Sequence, residues 1–181
     1  MRRRRLLATV GTALGATAGC VTGGESQPLT VAGPGEDGRL PARHTCDGAG
    51  ASPAFAVERA PDPTAALAVV AESNRDAIIE PVLWTLWNVP ADRAEIPAGL
   101  PRVAVLDALD GARQGVAPDG EHGYAAPCPP ADTTQSYRFQ VYALETTLDL
   151  PTDVANDDAL EAINGATLAS QRFVLDYRRP E

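Results

Sequence analysis

Apolar residues are grouped along the chain in short runs that are typical of β-strands. Residues 66–71 form an unbroken apolar run, which favours a buried strand. A second run over residues 82–87 is followed by Asn88-Val89-Pro90, where we expect that strand to end. Residues 137–143 alternate between the two faces of a strand, with Tyr, Phe, Val and Ala at every second position. A closing strand is predicted over residues 173–177.

One segment late in the chain is predicted to be helical. Its start, Asn156-Asp157-Asp158, offers an N-cap and carboxylates that suit the positive end of a helix dipole. The apolar and small residues that follow fall on one stripe of a helix, namely Leu160, Ile163, Thr167 and Leu168. Gly165 lies inside this stripe and weakens it.

Long loops rich in proline and glycine separate these elements, above all over residues 32–63 and 107–135. Loops of such length in a compact domain often carry function. Many short strands with turns between them favour a mainly β fold, a β-sandwich with a C-terminal helix. The chain of 181 residues is long enough for a single domain, which we place at residues 29–179.

The N-terminus has the pattern of an export signal. Four arginines at positions 2–5 precede the uncharged stretch Leu6–Gly19, which is too short to span a bilayer comfortably. The arginines followed by Leu6-Leu7 resemble a twin-arginine signal over residues 1–19. The end of this stretch resembles a lipobox, in which Cys20 would carry the lipid. Residues 20–28 then form a flexible tether, so we expect an extracytoplasmic protein anchored to the cell membrane. An ordinary cleaved signal with a coincidental cysteine is the alternative.

The net charge of the chain limits the classes of partner that it can bind. The formal net charge is −9, and after removal of the leader residues 20–181 hold 11 arginines and 24 acidic residues, a formal charge of −13. So many carboxylates exclude nucleic-acid binding. Every basic residue is arginine, and lysine is absent. This acidic, alanine-rich composition predicts a halophilic protein that stays soluble in concentrated salt.

Two cysteines remain in the body of the chain, Cys46 and Cys128. An even pair in an exported protein favours a disulfide between them. Two alternatives stay open: free buried thiols, or a structural zinc site formed with His44 and His122. The spacing of these four residues is not that of common zinc motifs. The absence of lysine excludes a P-loop, and no Gly-x-Ser-x-Gly elbow is present.

Four sequence motifs, in order, resemble those of the phosphatidylethanolamine-binding protein family, in particular its bacterial and archaeal branch related to Raf kinase inhibitor proteins. They span most of the chain after the leader. They are Pro41-Ala42-Arg43-His44-Thr45-Cys46-Asp47-Gly48 followed by Ser52-Pro53, Trp84-Thr85-Leu86-Trp87-Asn88-Val89-Pro90, Gly123-Tyr124-Ala125-Ala126-Pro127-Cys128-Pro129-Pro130, and Tyr137-Arg138-Phe139-Gln140-Val141-Tyr142-Ala143-Leu144.

The resemblance implies a β-sandwich with a small pocket for an anion, lined by carboxylates, imidazoles, an aromatic ring and a glycine. This sequence departs from the family pattern at several pocket positions. Ser73-Asn74-Arg75-Asp76-Ala77 stands where the family has Asp-Pro-Asp-Ala-Pro. Leu83 and Gln135 replace histidines, and Ala126 replaces the glycine. Residues that keep the pattern are Trp84, Tyr124, Pro127, Cys128, Pro129 and Tyr137. Arg75 is a new cation that could bind an anion.

These features together predict a non-enzymatic ligand-binding or inhibitor-like protein that needs no cofactor and has an altered anion pocket. The ligand would be a small anion or an apolar molecule, and a secreted protease is a further candidate partner. A solute-binding lipoprotein with a more apolar pocket is the first alternative. An extracellular hydrolase that uses His44 or His122 is the second.

Overall fold

The computed structural model describes residues 27–35, 37–74 and 81–181, with only the backbone described at Asn74. The predicted leader over residues 1–19, Cys20 and most of the predicted tether over residues 20–28 lie outside this part of the chain. No helix within the described ranges is long and apolar enough to cross a membrane.

Nine β-strands and one α-helix make up the regular structure of the described residues. Short 3-10 turns at Ala42–His44 and Asp107–Leu109 add to them. In chain order the elements are β1 (Thr30–Ala32), β2 (Phe55–Arg59), β3 (Ala66–Asn74), β4 (Val82–Pro90), β5 (Glu95–Ile96), β6 (Val105–Leu106), β7 (Ala112–Gln114), β8 (Thr134–Leu144), α1 (Asn156–Gly165) and β9 (Thr167–Arg178). The predicted mainly β fold with one late helix is confirmed.

The strands form two antiparallel sheets. The larger sheet has the order β6-β7-β4-β3-β8-β9, and the smaller one has the order β1-β2-β5. Apolar side chains of both sheets form one buried cluster, in which Phe55 of the smaller sheet joins Leu67, Trp84 and Phe139 of the larger sheet. This cluster is the core of a β-sandwich.

A second apolar cluster covers the opposite face of the larger sheet. Val70, Trp87 and Tyr142 of its central strands pack with Ile163 of α1. The three central strands β4, β3 and β8 are therefore buried on both faces. This explains why residues 66–71 are apolar without alternation, since a strand covered on two sides buries every side chain.

Strand β4 continues past the point where the sequence predicted its end. Leu67 pairs with Val89 and Val69 pairs with Leu86, so β4 has an extra residue at this point, as in a β-bulge. Asn88 takes the positive φ of 59° at the bulge, a conformation that asparagine tolerates. Its side-chain amide donates to the Leu148 carbonyl at 2.9 Å and accepts from the Leu148 N–H at 2.8 Å. The predicted breaker is thus an irregular part of the strand.

The predicted helical stripe was wrong at its C-terminal end, because α1 stops at Gly165 and Thr167 and Leu168 belong to β9. The Glu145 N–H donates to the carbonyl of Ala166 at 2.9 Å, and Thr167 pairs with Leu144 of β8. Sheet pairing therefore takes over directly after the glycine. The closing strand is longer than the predicted residues 173–177 for the same reason.

The start of α1 also differs from the prediction. Asn156 is the first helical residue, and Ala155 occupies the N-cap position without a side-chain hydrogen bond. The Asn156 amide instead donates to the Val116 carbonyl at 3.4 Å. Asp157 and Asp158 do lie in the first turn, as predicted.

The two long loops contain short strands that the sequence did not predict. Strand β2 lies within residues 32–63, and β7 lies within residues 107–135. The exposed side chains of Glu58 and Arg59 end β2, and Arg113 interrupts β7, so neither shows a clear apolar run. Pairing with neighbouring strands, and not local composition, defines both elements.

A disulfide joins the two long loops. The sulfurs of Cys46 and Cys128 are 2.08 Å apart, and the Cα atoms are 5.3 Å apart. The Cys46 N–H also donates to the Pro127 carbonyl at 3.0 Å, which aligns the two loops beside the bond. The structure therefore has the predicted disulfide, and the alternatives of free thiols and of thiolate zinc ligands do not apply.

We expect the Cys46→Ser/Cys128→Ser double variant to lose about 4 kcal/mol of unfolding free energy, because the bond closes a loop of 82 residues in the unfolded chain. Urea unfolding in a Cys20→Ser background, which removes the third thiol, measures the loss. The Cys20→Ser protein itself is the control. Two titratable thiols in that native control, or equal unfolding free energies, would contradict the disulfide.

Candidate ligand-binding site

The pocket positions implied by the family motifs lie at one end of the central strands. Ser73 near the end of β3 pairs with Tyr137 of β8, and both are buried. The side-chain amide of Gln135 donates to the Ser73 hydroxyl across the two strands. The two replacements for titratable pocket residues therefore satisfy each other as a neutral pair.

Leu83 and Ala126 complete this end of the sheet. The N–H of Ala125 donates to the Leu83 carbonyl at 2.9 Å, so the loop before β8 lies along the start of β4. Leu83 and Ala126 are half-buried against the main core, and Pro127 is buried beside them. Arg75 lies outside the described residues. We call Ser73, Leu83, Ala126 and Gln135 the motif surface.

The aromatic residues at the motif positions belong to the core. The rings of Trp84 and Tyr124 meet edge to face with centroids 5.6 Å apart. The Tyr124 hydroxyl donates to the backbone carbonyl of His44 at 2.8 Å, and burial raises the pKa of this phenol. Tyr137 is also almost completely buried. Tyr124 thus connects the core to the loop at residues 42–48, and all three rings are buried.

Gln114 is a buried polar residue that the sequence analysis did not single out. Its carbonyl accepts from the Trp84 indole N–H at 2.9 Å. Its amide donates to the carbonyls of Pro101 and Val103, both at 2.9 Å. Every part of this side chain is therefore engaged, which makes it a structural bridge. A single glutamine in a short strand gave no sequence signal for this role.

The zinc alternative was wrong. The thiols of Cys46 and Cys128 form the disulfide, so only two of the four predicted ligands remain. The Nδ1 atoms of His44 and His122 lie 2.8 Å and 3.0 Å from the carbonyls of Ala51 and Gln114. Within the part of the chain that the structure describes, no group of three or more His, Cys, Asp or Glu residues could hold a metal.

Both histidines use Nδ1 as a donor, because a carbonyl oxygen can only accept. In the neutral ring Nε2 then carries the lone pair. Burial of His44 lowers the pKa of its imidazole, the Ala51 hydrogen bond opposes this shift, and the neighbouring Arg43 adds to it. His44 is therefore a neutral, firmly held ring at neutral pH.

A cleft of about 420 Å³ lies beside His44 and shares no lining residue with the motif surface. It is lined by the segment after β1, the segment that carries Arg39 and Arg43, and the small residues Ala54 and Ala98. From the sequence, His44 of this cleft was predicted as a possible zinc ligand or hydrolase residue, and no pattern marked Arg39 and Arg43 as a pair. Their grouping depends on how the loop folds, which the sequence pattern does not show.

The two antiparallel sheets and the disulfide between the long loops define the class of protein as a two-sheet β-sandwich. The family model for phosphatidylethanolamine-binding protein matches residues 32–178. The chain belongs to the phosphatidylethanolamine-binding protein family.

Relatives of the chain come from archaea and bacteria. A UPF0098 protein of Methanothermobacter thermautotrophicus is 35% identical over 145 residues, which cover 78% of this chain and 92% of that protein. The protein named "Putative lipoprotein LppC" of Mycobacterium tuberculosis is 32% identical over 152 residues, 82% of this chain and 72% of that one.

Two crystal structures share the fold. The phosphatidylethanolamine-binding protein homologue CT736 of Chlamydia trachomatis superposes with a TM-score of 0.70 at 25% identity, and 85% of this chain covers 99% of that one. YbcL of E. coli superposes with a TM-score of 0.75 at 23% identity, and 84% of this chain covers 99% of that one. The predicted sandwich is thus that of the family.

We expect His44 to make folding stability depend on pH. Because its folded pKa lies below the ordinary value of about 6.5, the unfolded chain binds a proton that the native protein does not. The contribution of His44 is therefore complete above about pH 6.5 and is lost as the pH falls toward the folded pKa. His44→Asn keeps a donor near the position of Nδ1 but cannot titrate. The unfolding free energy of this variant should therefore change less between pH 5 and pH 7 than that of the wild type.

His122→Asn is the matched control, since His122 also donates from Nδ1 to a carbonyl but is only half-buried. Only His44→Asn should show a pH dependence of the unfolding free energy that differs from that of the wild type. Equal slopes in the wild type and His44→Asn would contradict a lowered pKa at His44.

Proposed function

We propose that the chain is an exported protein, anchored to the outer side of the membrane through lipid on Cys20, that binds a ligand without transforming it. The observation that carries the binding role is the neutral pair of Gln135 and Ser73 at the motif surface. Neither side chain titrates near neutral pH, so this pair can hydrogen-bond a ligand but cannot act as a general acid or base.

The surroundings of the two imidazoles support the non-enzymatic role. Each ring donates from Nδ1 to a backbone carbonyl, and in the described residues neither is hydrogen-bonded to a carboxylate or a hydroxyl. A histidine that activates a nucleophile needs such a partner within hydrogen-bond reach. His44 is in addition buried, which keeps its ring away from solvent.

The character of the motif surface suggests the kind of ligand it would accept. Leu83 and Ala126 are half-buried apolar residues at the same end of the sheet as the Ser73–Gln135 pair. The surface therefore fits a less polar ligand than a surface of carboxylates and imidazoles would. A solute-binding lipoprotein with this more apolar surface is the form of the proposal that the geometry favours.

Two observations support the membrane anchor. The leader has four arginines, a short apolar stretch and a small-residue end at Cys20. A relative that matches 82% of the chain carries the word lipoprotein in its name. Lipid on this cysteine would hold the domain at the membrane surface through the tether at residues 20–28, without a spanning helix.

We expect the full chain, expressed in a bacterial host that processes lipoproteins, to enter the membrane fraction with an acylated Cys20 as its first residue. Cys20→Ser should leave the membrane fraction almost completely, because the acyl chains supply its affinity for the bilayer. Thr22→Ala in the tether is the matched control and should behave like the wild type. A mature N-terminus beyond Cys20, found by mass spectrometry, would contradict the anchor.

We also expect no turnover of p-nitrophenyl esters or phosphate esters above the level of a His44→Asn/His122→Asn variant purified in the same way. Traces of host enzymes contaminate both preparations equally, so the comparison isolates the activity of this chain. Turnover that saturates with substrate and disappears in His122→Asn would show that the protein is a hydrolase.

A further inference from the structure

The cleft beside His44 has a concentration of positive charge that is unusual for this chain. Arg39 and Arg43 both line it and are exposed, and neither forms an ion pair with a described residue. Asp37 and Asp47, the described carboxylates nearest in sequence to these two arginines, pair with neither of them, and Asp47 instead binds Arg179. Two guanidinium groups without an ion-pair partner among the described residues thus share one cleft, in a chain that has 24 acidic and 15 basic residues.

Five of the eight other described arginines form ion pairs. Arg93 binds Asp110 at 2.6 Å, and Arg102 binds Asp119 at 2.7 Å. Arg138 donates through two nitrogens to one oxygen of Glu72. Arg39 and Arg43 have no such ion pair with a described residue, so their donors can be offered to a ligand in the cleft.

The backbone that carries the two arginines is held rigidly. The residues on either side of Arg39 are both hydrogen-bonded to β9. The Leu40 N–H donates to the Asp176 carbonyl at 3.0 Å, and the Asp176 N–H donates to the Gly38 carbonyl at 2.9 Å. The carbonyl of Arg43 accepts from the Ala51 N–H at 3.1 Å. Next to it, His44 is bound at both its ring and its carbonyl. Ligand binding would therefore have to order only the two arginine side chains, because the loop is already ordered. This lowers the entropic cost of binding.

The size and lining of the cleft limit what can occupy it. Its volume of about 420 Å³ falls in the range of small-molecule sites. A guanidinium group presents a planar fork of donors that matches a carboxylate or phosphate group. Pro34, Pro41 and Ala54 provide apolar wall, which favours a carbon body over a bare inorganic ion.

We propose that this cleft binds a small organic anion, whose phosphate or carboxylate group contacts Arg39 and Arg43 while its body lies against the prolines. This proposal goes beyond the proposed function, because the cleft contains no residue of the motif surface. Anion binding in the cleft is also independent of the lipid anchor and of whether the protein has enzymatic activity. A free metabolite and an anionic lipid headgroup share this chemistry.

The test uses phenyl phosphate as the soluble probe, with phenol as its neutral counterpart and inorganic phosphate as the bare anion. Isothermal titration of the wild-type protein, at a salt concentration that keeps it folded, should show phenyl phosphate binding at least tenfold more tightly than either of the others. Arg39→Gln/Arg43→Gln should weaken that binding at least tenfold. Sedimentation with phosphatidylglycerol vesicles, with and without competing phenyl phosphate, tests the lipid headgroup as the source.

Arg59→Gln/Arg172→Gln is the matched control, since it removes two exposed arginines that do not line this cleft. It should keep the affinity within about twofold. Arg39→Lys/Arg43→Lys keeps the charge but loses the planar fork, and should bind with intermediate affinity. Unchanged melting temperatures without ligand show that the variants are folded.

Three results would overturn the proposal. They are equal losses in the cleft and control variants, full affinity in Arg39→Gln/Arg43→Gln, and no binding of phenyl phosphate or phosphatidylglycerol vesicles to the wild type. Binding that survives the cleft variant but is lost in Ser73→Ala/Gln135→Ala would place the anion at the motif surface. That result would support the proposed function and reject the cleft, so the two proposals can be separated.

Discussion

Burial of strands β3, β4 and β8 on both faces limits where a ligand can approach the larger sheet. The smaller sheet covers one face and α1 covers the other, so these strands contribute buried side chains to both apolar clusters. A ligand can reach such strands only at their ends. Ser73 at the end of β3, Leu83 at the start of β4 and Gln135 at the start of β8 meet at the same edge, because neighbouring strands are antiparallel. The location of the motif surface is thus a consequence of the double burial.

The sequence predicted the parts of the fold in which burial alone decides the residue type. The run at residues 66–71 and the alternation at residues 137–143 both identify central strands correctly. The errors occur where pairing overrides local pattern. Thr167 has a place on the helical stripe, yet it pairs with Leu144 because β9 follows the whole length of β8. Such pairings join residues far apart in the chain and leave no local signal.

The same distinction applies to the candidate sites. The motifs at residues 41–48 and 123–130 identified the family because many of their residues join loops to the core. The Asp47 carboxylate, for example, accepts from the Tyr177 hydroxyl at 2.7 Å and binds Arg179 at 3.2 Å. These contacts are independent of Ser73 and Gln135, so the pocket can change while the fold remains. Membership of the family therefore specifies the framework, and the chemistry must be argued from the residues of this chain.

The arrangement of charge connects the cleft with the composition of the whole chain. Repulsion between an incoming anion and the many carboxylates is a long-range effect that salt screens within about 8–10 Å. A contact with a guanidinium fork acts at short range through directed hydrogen bonds, and salt weakens it less than it weakens the distant repulsion. In the concentrated salt that the composition predicts, an acidic protein can therefore still bind an anion locally. Arginine suits this task better than lysine, whose point charge offers less directional binding, and arginine is the only basic residue type that the chain uses besides its two histidines.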